Sequence, residues 1–285
     1  MVKASQIKAK IRNINWLYKI FLQGYSLFMR HNFDQVEYFC LFIGYARSGH
    51  TIIGALLDAH PEIVISIEAD ALGLMKKGYS RKLIFNYICR KSKLFVEKLD
   101  ATWTEYSYSV KDLNQGNYRD IKVIGDKKGG ETTNKLIRNF LELKQFESLV
   151  HVPLKMIHVV RNPLDNIASI LIRQNKKGII CDEKFCRNRI ENFFASADIN
   201  QKIIQSYPES VVTIFHEDFV KDPATIMLQL LFFLDISTDK EYLDKCSAIV
   251  RPSPNITRDN FEWPDKLREY TISKMKNYTF FSRYV

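Results

Sequence analysis

Long apolar runs are scarce in this chain. The most apolar stretch near its start, INWLYKIFLQGYSLF (Ile14 to Phe28), is broken by Lys19, Gln23 and Gly24. It falls short of the roughly 18 uninterrupted apolar residues that a bilayer span requires. It also lacks a small-residue cleavage site behind an apolar core, so it does not read as a secretory signal. No repeat, no low-complexity tract and no Gly-, Pro- or Ser-rich linker divides the sequence. The five cysteines (Cys40, Cys89, Cys181, Cys186, Cys246) are odd in number and scattered. Cys181 and Cys186 have neither the spacing nor the nearby His of a zinc motif. No metal site is expected, and a reducing, cytoplasmic setting is the simpler expectation.

Acidic residues are in the minority, 32 Asp and Glu against 42 Lys and Arg, for a formal charge of +10. That excess favours an anionic partner: nucleic acid, an anionic membrane or a polyanionic small molecule. The contents of hydrophobic (46%) and charged (26%) residues are those of a globular chain, which excludes general disorder. Residues 1–37, with basic Lys3, Lys8, Lys10 and Arg12 ahead of the apolar stretch, read as an amphipathic N-terminal helical arm. Such an arm packs on its own domain, forms a homodimer contact or touches a membrane surface. The remaining residues, 38–285, read as one domain.

Within that domain five short runs carry strand character: Tyr38–Gly44, 121–125, Ile63–Ile67, 155–160 and 210–215. They are continuously apolar rather than alternating, as strands of a parallel sheet covered on both faces must be. Helical patterns lie near 51–59, 79–98, 132–148, 163–175, 183–207 and 222–234. Alternation of this kind predicts an α/β fold of three layers, P-loop-like, with a central parallel sheet of about five strands flanked by helices.

The first strand ends in GYARSGHT, Gly44 to Thr51. Gly-x4-Gly between a strand and a helix is an anion nest, in which backbone N–H groups and a helix N-terminus converge on a phosphate. A nucleotide hydrolase places Lys after the second glycine and an Asp at the end of a neighbouring strand. Here His50 and Arg161 occupy those places, and the cation of the loop is Arg47. Such a loop holds a phosphate and is poorly equipped to cleave one from ATP.

GYARSGHTIIGALLDAHPEI resembles the 5′-phosphosulfate loop of sulfotransferases that use 3′-phosphoadenosine 5′-phosphosulfate (PAPS). MIHVVRNPLDNIASIL is similar to their 3′-phosphate motif, a strand ending in Arg with a Ser eight residues on: Arg161 and Ser169. VVTIFHEDFVKDPATIMLQLLFFLDI is similar to their later strand, Glu-Asp turn and following helix. The three motifs run in order over about residues 38–235. The departure is His50, where the family usually has Thr or Ser.

The resemblance implies a set of roles. Arg47 and the amides of Ser48, Gly49, His50, Thr51 and Ile52 would hold the 5′ end of the donor. Arg161 and Ser169 would hold the 3′-phosphate. Lys127, or its neighbour Lys128 in GDKKGG, would stabilise the departing bridging oxygen. Glu68 follows the strand IVISI on the rim where open α/β sheets bind ligands, and it matches the catalytic base of the tyrosylprotein and glycan-type members; Asp70 is the other carboxylate at hand. Ser253 and Arg258 fall where the family folds a loop over the nucleotide, and His216 stands where it would approach it. Arg161 could instead pair with Asp165 alone. The expected products are a sulfonated acceptor and adenosine 3′,5′-bisphosphate (PAP), with no metal required.

The expected acceptor is a small molecule with a hydroxyl or amine, such as a microbial metabolite or toxin, rather than nucleic acid. Aromatics of 69–118 (Tyr79, Phe85, Tyr87, Phe95, Trp103, Tyr106, Tyr108) are candidates for its pocket or for core. Three other readings stand beside this one: transfer to a protein or glycan, a metal-dependent P-loop kinase-like reaction, and non-catalytic binding of anions or nucleic acid.

Overall fold

The structure, a computed structural model, describes residues 20, 24, 33–97 and 108–285. Most of the N-terminal arm, its homodimer contact, and Trp103 and Tyr106 therefore lie outside the described residues. Residues 33–37 are turn and extended chain rather than helix, and Phe33 and Val36 are buried in the core of the domain.

Five strands, β1 (Tyr38–Gly44), β2 (Ile63–Ile67), β3 (Val123–Lys127), β4 (Leu154–Val160) and β5 (Val211–Phe215), form one sheet in the order β2-β3-β1-β4-β5. Every pairing is parallel. Among the described residues from 33 on, the α-helices in chain order are α1 (His50–Leu57), α2 (Ala71–Lys76), α3 (Arg81–Glu97), α4 (Gly130–Arg138), α5 (Leu141–Val150), α6 (Pro163–Asn175), α7 (Glu183–Ser206), α8 (His216–Lys221), α9 (Pro223–Phe233), α10 (Lys240–Ala248) and α11 (Asp265–Met275).

The central strand shows why the strands read as unbroken apolar runs. Phe39, Leu41 and Ile43 of β1 enter one core with Leu72, Phe85 and Phe146, while Cys40 and Phe42 enter a second with Ile53, Leu57 and Leu230. Both faces of the sheet are covered, so neither can be polar. A third core beyond the sheet joins Tyr45 to Phe193 of α7 and to Phe281 near the C-terminus, with the Tyr45 and Phe193 rings stacked at 4.5 Å. The first residue of the β1–α1 loop is thereby anchored in aromatic packing.

Local chemistry sets the helix starts. Asn162 caps α6 by accepting from the Leu164 N–H at 3.0 Å, with Pro163 in the first turn. Asp182 caps α7 through Phe185 N, and Asp222 caps α9 through Thr225 N, the arrangement that satisfies orphan donors at a helix start.

Two expected elements differ. The pattern over 132–148 is two helices, α4 and α5, because Asn139 takes extended dihedrals and its side chain accepts from Leu141 N, a local bond that competes with the helix. β3 runs two residues later than 121–125 and takes in Asp126 and Lys127. Those charges conceal the strand end from a hydrophobic pattern, yet both are buried. The five cysteines are free thiols, and no described helix is long and apolar enough to cross a membrane.

Burial also fixes an acid sensitivity. Desolvation pulls His50 and His158 down to about 3 and His216 to about 4 from an ordinary value of 6.5. Their folded pKa values lie below the unfolded one, so the unfolded chain takes up protons first as pH falls. Stability from this source is complete above about pH 6.5 and is lost progressively toward pH 3–4. His158→Gln should therefore lose less melting temperature between pH 7 and pH 5 than wild type, as read by paired thermal unfolding. An equal loss in both proteins would remove His158 from the acid response.

Candidate active site

The loops after β1, β2, β3, β4 and β5 open onto one cleft of about 1040 Å³ at the C-terminal edge of the sheet, where open α/β sheets place ligands. Its floor is the β1–α1 loop. Gly49 takes φ +89°, and a Cβ there would stand 2.5 Å from His216 Nδ1. Only glycine fits both constraints. Gly49, His50, Thr51 and Ile52 line the cleft, and the first N–H groups of α1 have no partner within the helix.

The side chain of His50 does not reach outward. Its ring is buried, its Nε2 lies 3.2 Å from the Ile43 carbonyl, and a Cβ on Gly129 would meet it at 3.0 Å. His50 therefore serves the loop as a packing block and through its backbone, and burial keeps it neutral near pH 7. Ser48 is also buried: its Oγ donates to the Tyr45 carbonyl and accepts from Asn166 Nδ2 at 2.8 Å. Asn166 additionally donates to Ala46 O at 3.2 Å. Helix α6 thus fixes the loop from below, a role that the sequence reading missed although Asn166 sits inside the Arg161 motif.

On the β2 side, Glu68 is half-exposed at the rim, and its Oε1 accepts from Lys127 Nζ at 3.3 Å. Lys127 is buried, and desolvation pulls its pKa below the ordinary lysine value despite the Glu68 charge. Asp126, the residue before it, accepts from Ala69 N and Ala71 N at 2.8 Å each and from Ser66 Oγ at 3.1 Å. This buried carboxylate clamps the turn that carries Glu68. Asp70 is committed elsewhere: it accepts from Gly73 N at the start of α2 and pairs with Lys135 at 3.0 Å. Arg47, Glu68 and Asp70 all take positive φ (69°, 63° and 67°) without being glycine, and such conformations cluster where side chains are held for function.

On the β4 side, Arg161 does not pair with Asp165 as an isolated ion pair. Its guanidinium donates to Arg47 O at 3.1 Å, to Thr257 Oγ1 at 2.9 Å and to the Asn255 carbonyl. Asp165 instead accepts from the N–H groups of Thr257 and Arg258, at 2.7 Å each, and from Arg258 Nη1 at 2.6 Å. The segment 255–258 is thus drawn across the end of the cleft, with Ser253 on its lining and Arg258 engaged by Asp165. Ser169 Oγ accepts from Arg47 Nε at 3.2 Å, so the two motifs meet. His216 Nδ1 is buried without a partner among the described residues. Glu217 accepts from Asn162 N and Tyr284 OH, and Asp218 pairs with Arg283; the Glu-Asp turn braces the fold and ties down the C-terminus. Of the named aromatics among the described residues, Tyr108 alone lines the cleft. Tyr79 and Phe85 are core.

The set fits a nucleotide carrying phosphates at both ends. It offers a glycine cradle, cations on two sides and an orphaned imidazole nitrogen between them. The sulfotransferase domain family matches residues 40–250.

This chain belongs to the sulfotransferase family.

It is a transferase, and PAPS is the usual donor of such enzymes. Solved structures show the same fold. A sulfotransferase domain from the curacin biosynthetic pathway is 19% identical, covering 85% of this chain and 96% of the other, with a TM-score of 0.54. One from the Synechococcus PCC 7002 olefin synthase is 14% identical, covering 87% and 97%, at 0.51. A sulfotransferase from Mycobacterium avium is 12% identical, covering 91% and 81%, at 0.52. No curated protein matches this sulfotransferase by sequence.

Proposed function

We propose that this sulfotransferase moves a sulfuryl group from PAPS to a hydroxyl or amine of a small-molecule acceptor in the cytoplasm, without a metal ion and without acting on nucleic acid. One observation carries the reading: Glu68 and Lys127 meet 3.3 Å apart on the rim of a cleft whose other wall holds Arg47 and Arg161. A base and an acid of the transfer stand together, with separate cations for the two ends of the donor. The neighbours from the curacin pathway and the olefin synthase support an acceptor of the natural-product kind. Two features weigh against the kinase-like alternative: Arg161 follows β4, and Asp126 of β3, the other neighbour of β1, is buried and spent on Ser66, Ala69 and Ala71.

In the reaction the sulfur–oxygen bond to the donor phosphate breaks and its electron pair stays on the phosphate oxygen. The acceptor oxygen forms the new bond to sulfur and gives its proton to Glu68. Arg47 and the N–H groups at the start of α1 bind the 5′ phosphate. Lys127 faces the charge that develops on the bridging oxygen. Arg161 and Ser169 bind the 3′-phosphate, and His216, kept neutral by burial, offers Nδ1 to the nucleotide. Preorganised donors and cations aimed at developing charge usually supply the largest share of such catalysis.

The test is ligand stabilisation. PAP at about 100 times its dissociation constant should add about 2.7 kcal/mol to the unfolding free energy, with chelator present, and ATP with Mg²⁺ much less. Arg161→Ala should lose about 1.5–3 kcal/mol of PAP binding, the magnitude of hydrogen bonds to charged groups, and should no longer distinguish PAP from its 3′-dephosphorylated analogue. Preference for ATP with Mg²⁺ would establish the kinase-like reading instead.

A further inference from the structure

The charges of the cleft are unbalanced. Nine Lys and Arg side chains line it against three carboxylates, Glu68, Asp70 and Glu131. All three carboxylates are committed: Glu68 to Lys127, and Asp70 and Glu131 to Lys135 at 3.0 and 3.7 Å. The donor, on the reading proposed above, occupies Arg47, Lys127 and Arg161. Lys135 holds two of the carboxylates, which leaves Lys128 beside Lys127, Arg251 beyond α10, and a group on the α6 and α7 wall, Arg173, Lys177 and Arg189. No member of that group has a carboxylate partner among the described residues.

Their placement on the fold is not random. Arg173 lies in the last turn of α6, one turn beyond Ser169, and Lys177 follows one turn further on. They line the cleft together with Gln174. Arg189 reaches the same cleft from the second turn of α7, on the same helical stripe as Asn192 and Ser196. Two cations near the C-terminus of α6 gain from its dipole, but a cation near the start of α7 gains nothing from that helix. Like charges gathered on one wall of a cleft repel, and they focus an anion into it.

We infer that Arg173, Lys177 and Arg189 form an acceptor subsite for an anionic group, so that the acceptor is a hydroxylated small molecule that already carries a carboxylate or sulfate. The inference rests on the sulfotransferase reaction proposed above. The wall formed by α6 and α7 would hold the anionic group of the acceptor, with the amides of Gln174 and Asn192 as neutral donors, while its hydroxyl turns to Glu68. A neutral or cationic acceptor would leave the subsite's charges uncompensated.

Wild type and the variant Arg173→Gln/Lys177→Gln/Arg189→Gln are compared in three measurements. In the first, hydroxylated carboxylic acids and their methyl esters serve as paired acceptors with PAPS, read by mass. Wild type should favour the acids at least tenfold in kcat/KM, and the variant should lose that preference. In the second, PAP-saturated protein is titrated with benzene-1,3,5-tricarboxylate, which decides the matter if no member of the panel is turned over. Wild type should bind it at least tenfold more tightly than the variant. In the third, PAP affinity should be the same in both proteins. Equal or reversed preference for esters overturns the inference, as does failure of PAP-loaded wild type to bind the tricarboxylate, or binding equal to the variant's. A variant that loses PAP affinity shows that these cations hold the donor, which also overturns it. Lys177→Glu alone, at an exposed position, repeats the test should the triple variant fold poorly. Wild type that binds no PAP at all would instead defeat the donor assignment, a result that the third measurement separates from the others.

Discussion

Glu68→Gln should lower turnover of a hydroxyl acceptor about 10²–10⁴-fold, the range that a positioned general base contributes, while PAP binds as it does to wild type. Gln has the size of Glu, adopts the same backbone, and still offers Lys127 Nζ an oxygen at the place where Glu68 Oε1 now lies 3.3 Å away. Only basicity is removed. The split between lost turnover and retained nucleotide affinity assigns the loss to the chemical step. The other groups nearby are poor substitutes. Asp70 is engaged by Gly73 N and Lys135, and the His50 ring is buried against Ile43 O with its pKa depressed to about 3. Wild-type turnover by the Gln variant would remove Glu68 as base and leave Asp70 as the nearest carboxylate. An amine that reacts already deprotonated depends on Glu68 less, so the measurement belongs on a hydroxyl.

Much of this arrangement was legible before any fold was known. The strands β1 and β2 and the helix α6 fall where apolar runs and the Asn162-Pro163 start place them. Arg47 and Arg161 stand out from the phosphate motifs, Glu68 from the end of the strand IVISI and Lys127, with Lys128, from GDKKGG, and all of them line one cleft. What escaped notice shares a physical cause, because it depends on partners far away in sequence. Asp126 looks like an ordinary charge in a basic loop, and only its bonds to Ala69 N and Ala71 N mark it as the clamp of the Glu68 turn. Asn166 looks like a helix-surface residue, and only the approach of the β1–α1 loop gives it work. Arg258 falls in the segment expected over the nucleotide, and only the fold shows that its guanidinium meets Asp165, 93 residues away. The positive φ of Arg47 and Glu68 has no signal in composition at all, since neither is Gly or Asn. Short helices such as α8 and α11 were missed because they are half polar and are held by tertiary packing, α11 by Leu267 and Met275 in the third core.

The pair Lys127 and Lys128 was inseparable by sequence, and the fold separates them. Lys127 is 4% exposed at the end of β3, with its stem against Gly54 of α1, where a Cβ would meet Lys127 Cβ and Cγ at 3.1 Å. Lys128, the next residue, is half-buried in the following turn and is not seen to touch Glu68. Lys127→Met should therefore cut turnover about 10²–10³-fold, the scale of losing one preorganised stabiliser of a developing oxyanion. Met fills the same slot beside α1 without the charge, so the fold should survive; retention of the PAP-induced thermal shift is the control. Lys128→Met should change turnover less than tenfold. Lys127→Arg should not restore activity, because a planar guanidinium fork cannot replace a compact ammonium. Equal losses in the two Met variants would mean that the basic turn acts as a diffuse field. A loss confined to Lys127 makes the buried ammonium the acid partner of Glu68, the two ends of the transfer held by adjacent parallel strands.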